Sequence, residues 1–354
     1  MIDFTSDASH VLLNPRLPAA DRAALEALVV PLAAHVWIAT SGTSGAMKLV
    51  ALSKRALLTS AAAVNRHLES NAYDVWCCVL PTFHVGGLGI HARAFLSGAR
   101  VETMPWDAPA FRELCELERV TLSALVPAQV SDLVNANLRA PASLRAIVIG
   151  GAAFAPELYT KARALGWPVL PSYGMSECCS QIATARGDDP SLVLLDHVFA
   201  REEEDGRLAF RSDALLTGYA TFDRGFYDPK VAGWFVSEDR GSVEGRTLRV
   251  LGRAGEFVKI GGESVDLQRL DRILFEIAGN DAALVAMGDE RLGHVLHVAL
   301  ASGEEAALVA AFNERVLPFE RIRAVHRVAE IPRTALGKLR RNELAAIIAH
   351  RPHR

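Results

Sequence analysis

Residues 40–48, Thr40-Ser41-Gly42-Thr43-Ser44-Gly45-Ala46-Met47-Lys48, follow a β-rich run at 36–40 and combine three features that suit a phosphate chain. Glycines let the backbone come close to it, hydroxyls and backbone N–H groups donate to its oxygens, and a lysine adds a point charge. The stretch is not a Walker A loop, because Met47 rather than glycine precedes Lys48. Taken alone it also fits a flexible polar turn. Other chemistries have weaker support. Gly174-Met175-Ser176-Glu177-Cys178 lacks the last glycine of the GxSxG hydrolase elbow, and the chain has no HExxH and no GxGxxG after a strand. The five cysteines form two adjacent pairs, Cys77-Cys78 and Cys178-Cys179, plus Cys115, with no CxxC. Vicinal cysteines seldom bridge, so reduced thiols packed as small core residues, with no metal site, are expected.

Lysine is scarce. Only six of the 38 basic residues are lysine, at positions 48, 54, 161, 230, 259 and 338. The compact ammonium group does different work from the guanidinium fork, so each lysine is a candidate. Codon bias explains the scarcity but not the placement.

Further motifs follow the first loop in order. They are Pro81-Thr82-Phe83-His84-Val85-Gly86-Gly87, Gly150-Gly151-Ala152-Ala153, Tyr173-Gly174-Met175-Ser176-Glu177, Trp234 through Asp239 with Gly241, Gly252-Arg253, and Pro332 through Gly337-Lys338. The ordered series, spanning about residues 36–345, resembles the acyl- and aryl-adenylating (AMP-forming) superfamily of acyl-CoA synthetases, luciferases and peptide-synthetase adenylation domains. Leu125-Val126-Pro127-Ala128-Gln129, Gly261-Gly262-Glu263 and the region 80–101 look most like the o-succinylbenzoate:CoA ligases of menaquinone biosynthesis.

The resemblance implies a two-step ligase. A carboxylate attacks the α-phosphate of ATP to give an acyl-adenylate and pyrophosphate, and the thiol of coenzyme A then displaces AMP. Two anions meet in the first step, so cations and hydrogen-bond donors must neutralise the developing charge. By motif, Thr40, Ser41, Gly42, Thr43, Ser44, Gly45 and Lys48 would hold the β- and γ-phosphates, and Glu177 would hold Mg²⁺. Tyr173, with Gly174 and Ser176 of its motif, would lie against the adenine, and Gly150 and Gly151 beside the base and the acyl group. Asp239 would accept the ribose hydroxyls, Arg253 would reach the ribose or phosphate, and Lys338 would bridge the carboxylate and the α-phosphate. His84 would sit at the acyl pocket. Arg93, nine residues after it, would meet the second carboxylate of the acid, the alternative being an arginine that snorkels to a helix surface. Gly261, Gly262 and Glu263 would serve the thioester step.

Singly, each residue has a plainer role open to it: His84 and Tyr173 in packing, Glu177 as a helix N-terminal acid, Lys338 on a solvated basic face. Three functions compete. The chain is a CoA ligase, an adenylating enzyme for another aryl or fatty acid that loads a carrier-protein thiol, or a degenerate nucleotide-binding homologue. Retention of Lys48, Glu177, Asp239, Arg253 and Lys338 argues against the last. There are departures from the family pattern. Met47 replaces a common proline, Glu238 the usual glycine before Asp239, and Gly255 the usual Asp or Lys hinge, where glycine still tolerates a backbone swing.

These side chains need a scaffold. From about residue 20 to 172, helices expected at 19–34, 53–68, 88–97, 108–118, 128–136 and 156–165 alternate with strands at 36–40, 75–80, 99–103, 121–126, 145–149 and 168–170. The alternation predicts an α/β sheet covered by helices. Short strands follow from 190 to 251, with Glu202-Glu203-Glu204-Asp205 as a solvated loop. After Gly252, strands at 256–260, 282–287, 294–301 and 322–328 with helices at 266–278 and 304–315 predict a separate α+β domain. The expectation is therefore an adenylation core at 1–251 and a small mobile domain at 252–354 carrying Lys338.

Length and composition agree. A chain of 354 residues, half of them hydrophobic, suits two cores, and a net charge of −3 gives no electrostatic case for nucleic acid. No stretch of about 18 apolar residues and no signal-peptide pattern is present, which predicts a cytoplasmic protein without a membrane span. Relatives carry more chain ahead of the phosphate loop. A shortened N-terminal subdomain is thus expected, with an apolar edge that a second subunit would cover.

Overall fold

The computed structural model describes residues 2–41, 47–152, 154–253, 257–332, 339 and 341–349, without the side chains of 41, 252, 253, 257, 268 and 342. Gly42, Thr43, Ser44, Gly45, Gly255 and Lys338 lie outside the described residues. The chain divides into two compact units, Met1–Gly42 with Met47–Gly255, and a second that holds Glu256–Arg354.

The first unit begins with β1 (His10–Leu12), α1 (Ala19–Glu26), β2 (His35–Ser41), β3 (Met47–Ser53) and α2 (Lys54–Leu68). The helix expected over 19–34 stops at Glu26, upstream of Pro31, which lacks an N–H and clashes with a preceding helical turn. Ser53 caps α2 as expected, accepting from the Ala56 N–H at 3.0 Å. Lys54 turns out to be a structural lysine. It is buried, and its Nζ donates to the carbonyl of Ser6 at 2.8 Å and to Ser6 Oγ at 3.1 Å, tying down the N-terminal segment.

Next come β4 (Val75–Cys78), α3 (Val85–Ser97), β5 (Arg100–Thr103), α4 (Ala108–Leu117), β6 (Leu122–Leu125), α5 (Pro127–Asn135), β7 (Ala146–Ile149), α6 (Pro156–Ala164) and β8 (Val169–Met175). All neighbours among these strands pair in parallel, in the order β5-β4-β6-β7-β8. Their four-residue apolar runs fit a sheet buried on both faces. One face packs Trp76, Ile90 and Leu122 with Val64 of α2, and the other packs Phe111, Val130 and Trp167. The chain leaves β4 through α3 toward one neighbour and returns through α4 to the other. That reversal makes the crevice beyond the C-terminal ends of β4 and β6 a ligand position. The expected helix at 88–97 starts three residues earlier, at Val85, because a run of glycines disguised its first turn.

At Pro171 the strand β8 changes partner. Residues 169–171 pair in parallel with β7, and residues 172–175 pair antiparallel with β9 (Ser180–Arg186). The strand expected at 168–170 runs on past Pro171, which marks the exchange of ladders. The sheet continues antiparallel through β10 (Asp189–Leu194), β11 (Phe199–Glu202), β12 (Arg207–Arg211), β15 (Phe235–Glu244) and β16 (Thr247–Arg253), giving an 11-stranded sheet. β13 (Gly218–Thr221) and β14 (Gly225–Tyr227) join β1, β2 and β3 in a separate five-stranded sheet.

The second unit holds β17 (Phe257–Ile260), β18 (Glu263–Asp266), α7 (Leu267–Ala278), β19 (Ala282–Asp289), β20 (Gly293–Leu300), α8 (Glu305–Asn313), β21 (Ile322–Arg327) and α9 (Arg341–Ala349). Its sheet buries Leu270, Leu284 and Phe312 on one face and Val285, Leu344 and Ile348 on the other.

Candidate active site

Glu177 lies in a short 3-10 turn, Ser176–Cys178, directly after β8, and its backbone carbonyl accepts from the Leu216 N–H at 2.8 Å. Its carboxylate faces two groups from the small sheet. Lys48 Nζ of β3 stands 3.4 Å from Oε1, and the Tyr219 hydroxyl of β13 donates to the same oxygen at 2.7 Å. Lys48 Nζ also lies 3.5 Å from the centre of the Tyr219 ring, a cation–π contact. Two residues singled out by motif thus meet, and Tyr219 is a third member that no motif announced.

Burial disfavours the charged form of Glu177, but the Lys48 ammonium and the Tyr219 hydroxyl outweigh it and hold the carboxyl below its usual range. A lowered carboxyl stabilises the folded state fully above the unfolded value and loses that contribution as pH falls through the folded value. The difference in thermal midpoint between wild type and Glu177→Gln should therefore stay constant from pH 7 down to about 4.3, the free glutamate value, and shrink only below it. A difference that vanishes already at pH 6 would refute this pairing.

Tyr173 lies on the part of β8 that has left β7, and its hydroxyl donates to Asp239 Oδ2 of β15 at 2.7 Å. Its ring sits 6.0 Å from that of Phe210, and burial, then the Asp239 charge, push its phenol well above the ordinary value. Asp239 stands opposite Arg253 in the β15–β16 ladder; the Arg253 side chain is outside the described atoms. Gly150 and Gly151 follow the end of β7, where the splayed β8 leaves room, and Gly151 has φ +84°, a conformation open to glycine. Gly174 is required by space, because a Cβ there would overlap the Ser180 carbonyl oxygen.

His84 is the residue before α3, and its ring lies 4.7 Å from that of Phe83, at the mouth of the crevice beyond β4. Arg93 lies further along the helix and does not snorkel. It is 2% exposed, its guanidinium carbon is 5.5 Å from the Trp76 ring, and Nη2 donates to Ser180 Oγ at 3.1 Å. Its Nε and Nη1 have no hydrogen-bond partner. Burial lowers the guanidinium to about 10, so it stays protonated at neutral pH. An unmatched buried cation is costly. Thr40 Oγ1, near the end of β2, is likewise buried without a partner. In the second unit, Gly261 and Gly262 have φ +59° and +89° in the turn between β17 and β18, and Glu263 begins β18.

Among the described residues, no group of three or more His, Cys, Asp or Glu side chains could hold a metal ion on its own. Glu177 can supply one carboxylate oxygen to Mg²⁺, which ordinarily takes one or two protein carboxylates and completes its shell from phosphate and water. The five cysteines are free and buried, and burial pushes the Cys78 thiol up to about 11.

Lys48 with Glu177 and Tyr219, and Tyr173 with Asp239, thus gather about the C-terminal end of β8. The chain belongs to the AMP-binding enzyme family, whose model matches residues 7–199. Over 324 residues it is 25% identical to the 2-succinylbenzoate–CoA ligase of Enterococcus faecalis, covering 85% of this chain and 67% of that one. The Staphylococcus aureus ligase of the same name is 26% identical over 86% of this chain and 65% of that protein. Among solved structures, a double mutant of o-succinylbenzoate CoA synthetase from Bacillus subtilis, bound with its product analogue OSB-NCoA, superposes with a TM-score of 0.77 at 25% identity. That match covers 87% of this chain and 68% of the synthetase. The chain thus spans about two thirds of the length of these relatives. Among the described residues no helix is long and apolar enough to cross a membrane.

Proposed function

We propose that the chain is an AMP-forming carboxylate:CoA ligase that activates an acid bearing a second carboxylate, with o-succinylbenzoate the best candidate. The reading rests above all on the contacts at the C-terminal end of β8, where Lys48 meets Glu177 and Tyr173 meets Asp239, two pairs that fit the two ends of a nucleotide. The buried, unmatched Arg93 supports the choice of acid, since a guanidinium edge fits a carboxylate in bidentate fashion.

Lys48 and the loop at 40–45 hold the β- and γ-phosphates and orient the α-phosphate for attack. Glu177 holds Mg²⁺, which when bound shields the phosphate charge. Tyr173 flanks the adenine with Gly150, Gly151, Gly174 and Ser176 lining the base, and its hydroxyl orients Asp239 to accept the ribose hydroxyls, Arg253 assisting. His84 and Arg93 position the acid, and Lys338 draws its reacting carboxylate to the α-phosphate. The turn Gly261, Gly262 and Glu263 serves the transfer to coenzyme A. Dependence on ATP and coenzyme A makes the cytoplasm the working compartment.

The nucleotide part is tested by AMP binding. Removing an acceptor for the ribose costs about 1.5–3 kcal/mol, so Asp239→Ala should bind AMP roughly 10- to 100-fold more weakly in calorimetry. Wild-type affinity in the variant would remove Asp239 from the site.

A further inference from the structure

Arg93 and the nucleotide turn are joined at one atom. Ser180 Oγ accepts from Nη2 of Arg93 at 3.1 Å, while Nε and Nη1 go unmatched. A guanidinium has two carboxylate-binding edges, Nε with Nη2 and Nη1 with Nη2. Committing one Nη2 N–H to Ser180 leaves one edge free, so a carboxylate and the serine can be bound together.

Ser180 also closes the turn that begins at Tyr173. Cys179 has φ 58° and Ser180 φ 144°, two successive non-glycine residues on the left-handed side, a strained arrangement that its surroundings must hold. Gly174 accommodates the Ser180 carbonyl, and Leu216 fixes the carbonyl of Glu177. One short segment therefore carries Tyr173 and Glu177 toward the nucleotide and Ser180 toward Arg93. Gly89 of α3 leaves little slack on the other side, since a Cβ there would stand 3.0 Å from Arg93 Nη2 and 3.4 Å from Ser180 Oγ.

We propose that Ser180 is a positioning residue that couples the acid site to the nucleotide site. A carboxylate on the free edge of Arg93 fixes the guanidinium, the guanidinium fixes Ser180, and the ordered turn presents Tyr173 and Glu177 to the nucleotide. Each substrate then raises the affinity for the other by the same factor. The inference rests on the acid and nucleotide sites proposed above.

The test is the dissociation constant of the α,β-methylene analogue of ATP with Mg²⁺, measured with and without saturating o-succinylbenzoate. Wild type should bind it about five- to tenfold more tightly with the acid present, the lower range of such couplings. In Ser180→Ala the ratio should fall to about one, and Ser180→Thr, which keeps the hydroxyl, should restore part of it. A purely structural role would shift both constants and leave their ratio alone. A wild-type ratio of one with both ligands bound, or an unchanged ratio in Ser180→Ala, overturns the coupling but not the ligase reading. Wild type that binds neither ligand fails that reading and the coupling with it.

Discussion

Lys338→Ala should lose acyl-adenylate formation while still converting a pre-made acyl-adenylate and coenzyme A to the thioester. In the adenylation step a carboxylate approaches a phosphate, and the charge that develops between them is what a lysine bridging the two anions would neutralise. Removing one such group from a desolvated site typically costs about 10²–10³ in rate. In the second step the thiol of coenzyme A attacks the acyl carbon, loses its proton, and displaces AMP as its phosphate anion; no carboxylate has to be brought against a phosphate, so the bridging cation has no equivalent task. Pyrophosphate exchange reads the first half-reaction and chromatography of the thioester reads the second, so the two losses are separable. In the sequence Lys338 stands three residues ahead of α9. Survival of both half-reactions in the variant would show that Lys338 has another role.

Arg93→Met should separate activity from stability in opposite directions. The arginine is fully desolvated, with Nε and Nη1 unmatched, so the empty protein carries a buried charge with little to offset it. Methionine has similar volume and no charge, and replacing unpaired or poorly paired buried ions by apolar residues is commonly neutral or stabilising by about 1–4 kcal/mol. The thermal midpoint should hold or rise. The KM for o-succinylbenzoate should rise about 10- to 100-fold, the cost of a lost charge-assisted hydrogen bond to a carboxylate at about 1.5–3 kcal/mol. A monocarboxylic aryl acid should lose far less, because it never engaged the guanidinium. A fall in stability with unchanged preference among acids would instead make Arg93 a packing residue.

Much of this site was legible in the sequence because glycine, proline and capping residues punctuate an α/β chain. The strand ends at Ile149 and Thr103, the helix beginning after Ser53, and β17, α7, β19, β20, α8 and β21 of the second unit fall within a few residues of the positions their patterns predict, whereas β18 and α9 were not foreseen. Misses have local causes. Pro31 shortened α1, and glycines at 86, 87 and 89 hid the start of α3. β8 runs on past Pro171 because its ladder changes partner there, a tertiary event that no local signal carries. Lys48 and Glu177 could be picked out by type and order, but their meeting at 3.4 Å depends on the small sheet that brings β13 against β3. Tyr219 was missed for the same reason. Ser180 follows two apolar cysteines and looks like any strand residue; only its contact with Arg93, 87 positions away, gives it meaning. The lysine scarcity also resolves unevenly. Lys48 lies in the site, whereas Lys54 and Lys230 hold backbone carbonyls, the latter that of Leu216 at 2.6 Å.

The central claim is that this chain couples ATP cleavage to thioester formation on an acid with a second carboxylate. It is tested most directly by pyrophosphate release from ATP and Mg²⁺ with o-succinylbenzoate, benzoate, succinate and a medium-chain fatty acid, each with and without coenzyme A. The expected result is strongest release with o-succinylbenzoate, limited to about one equivalent of enzyme without coenzyme A and turning over continuously with it, AMP appearing in step. The absence of acid-dependent pyrophosphate release with every member of the panel would contradict the account.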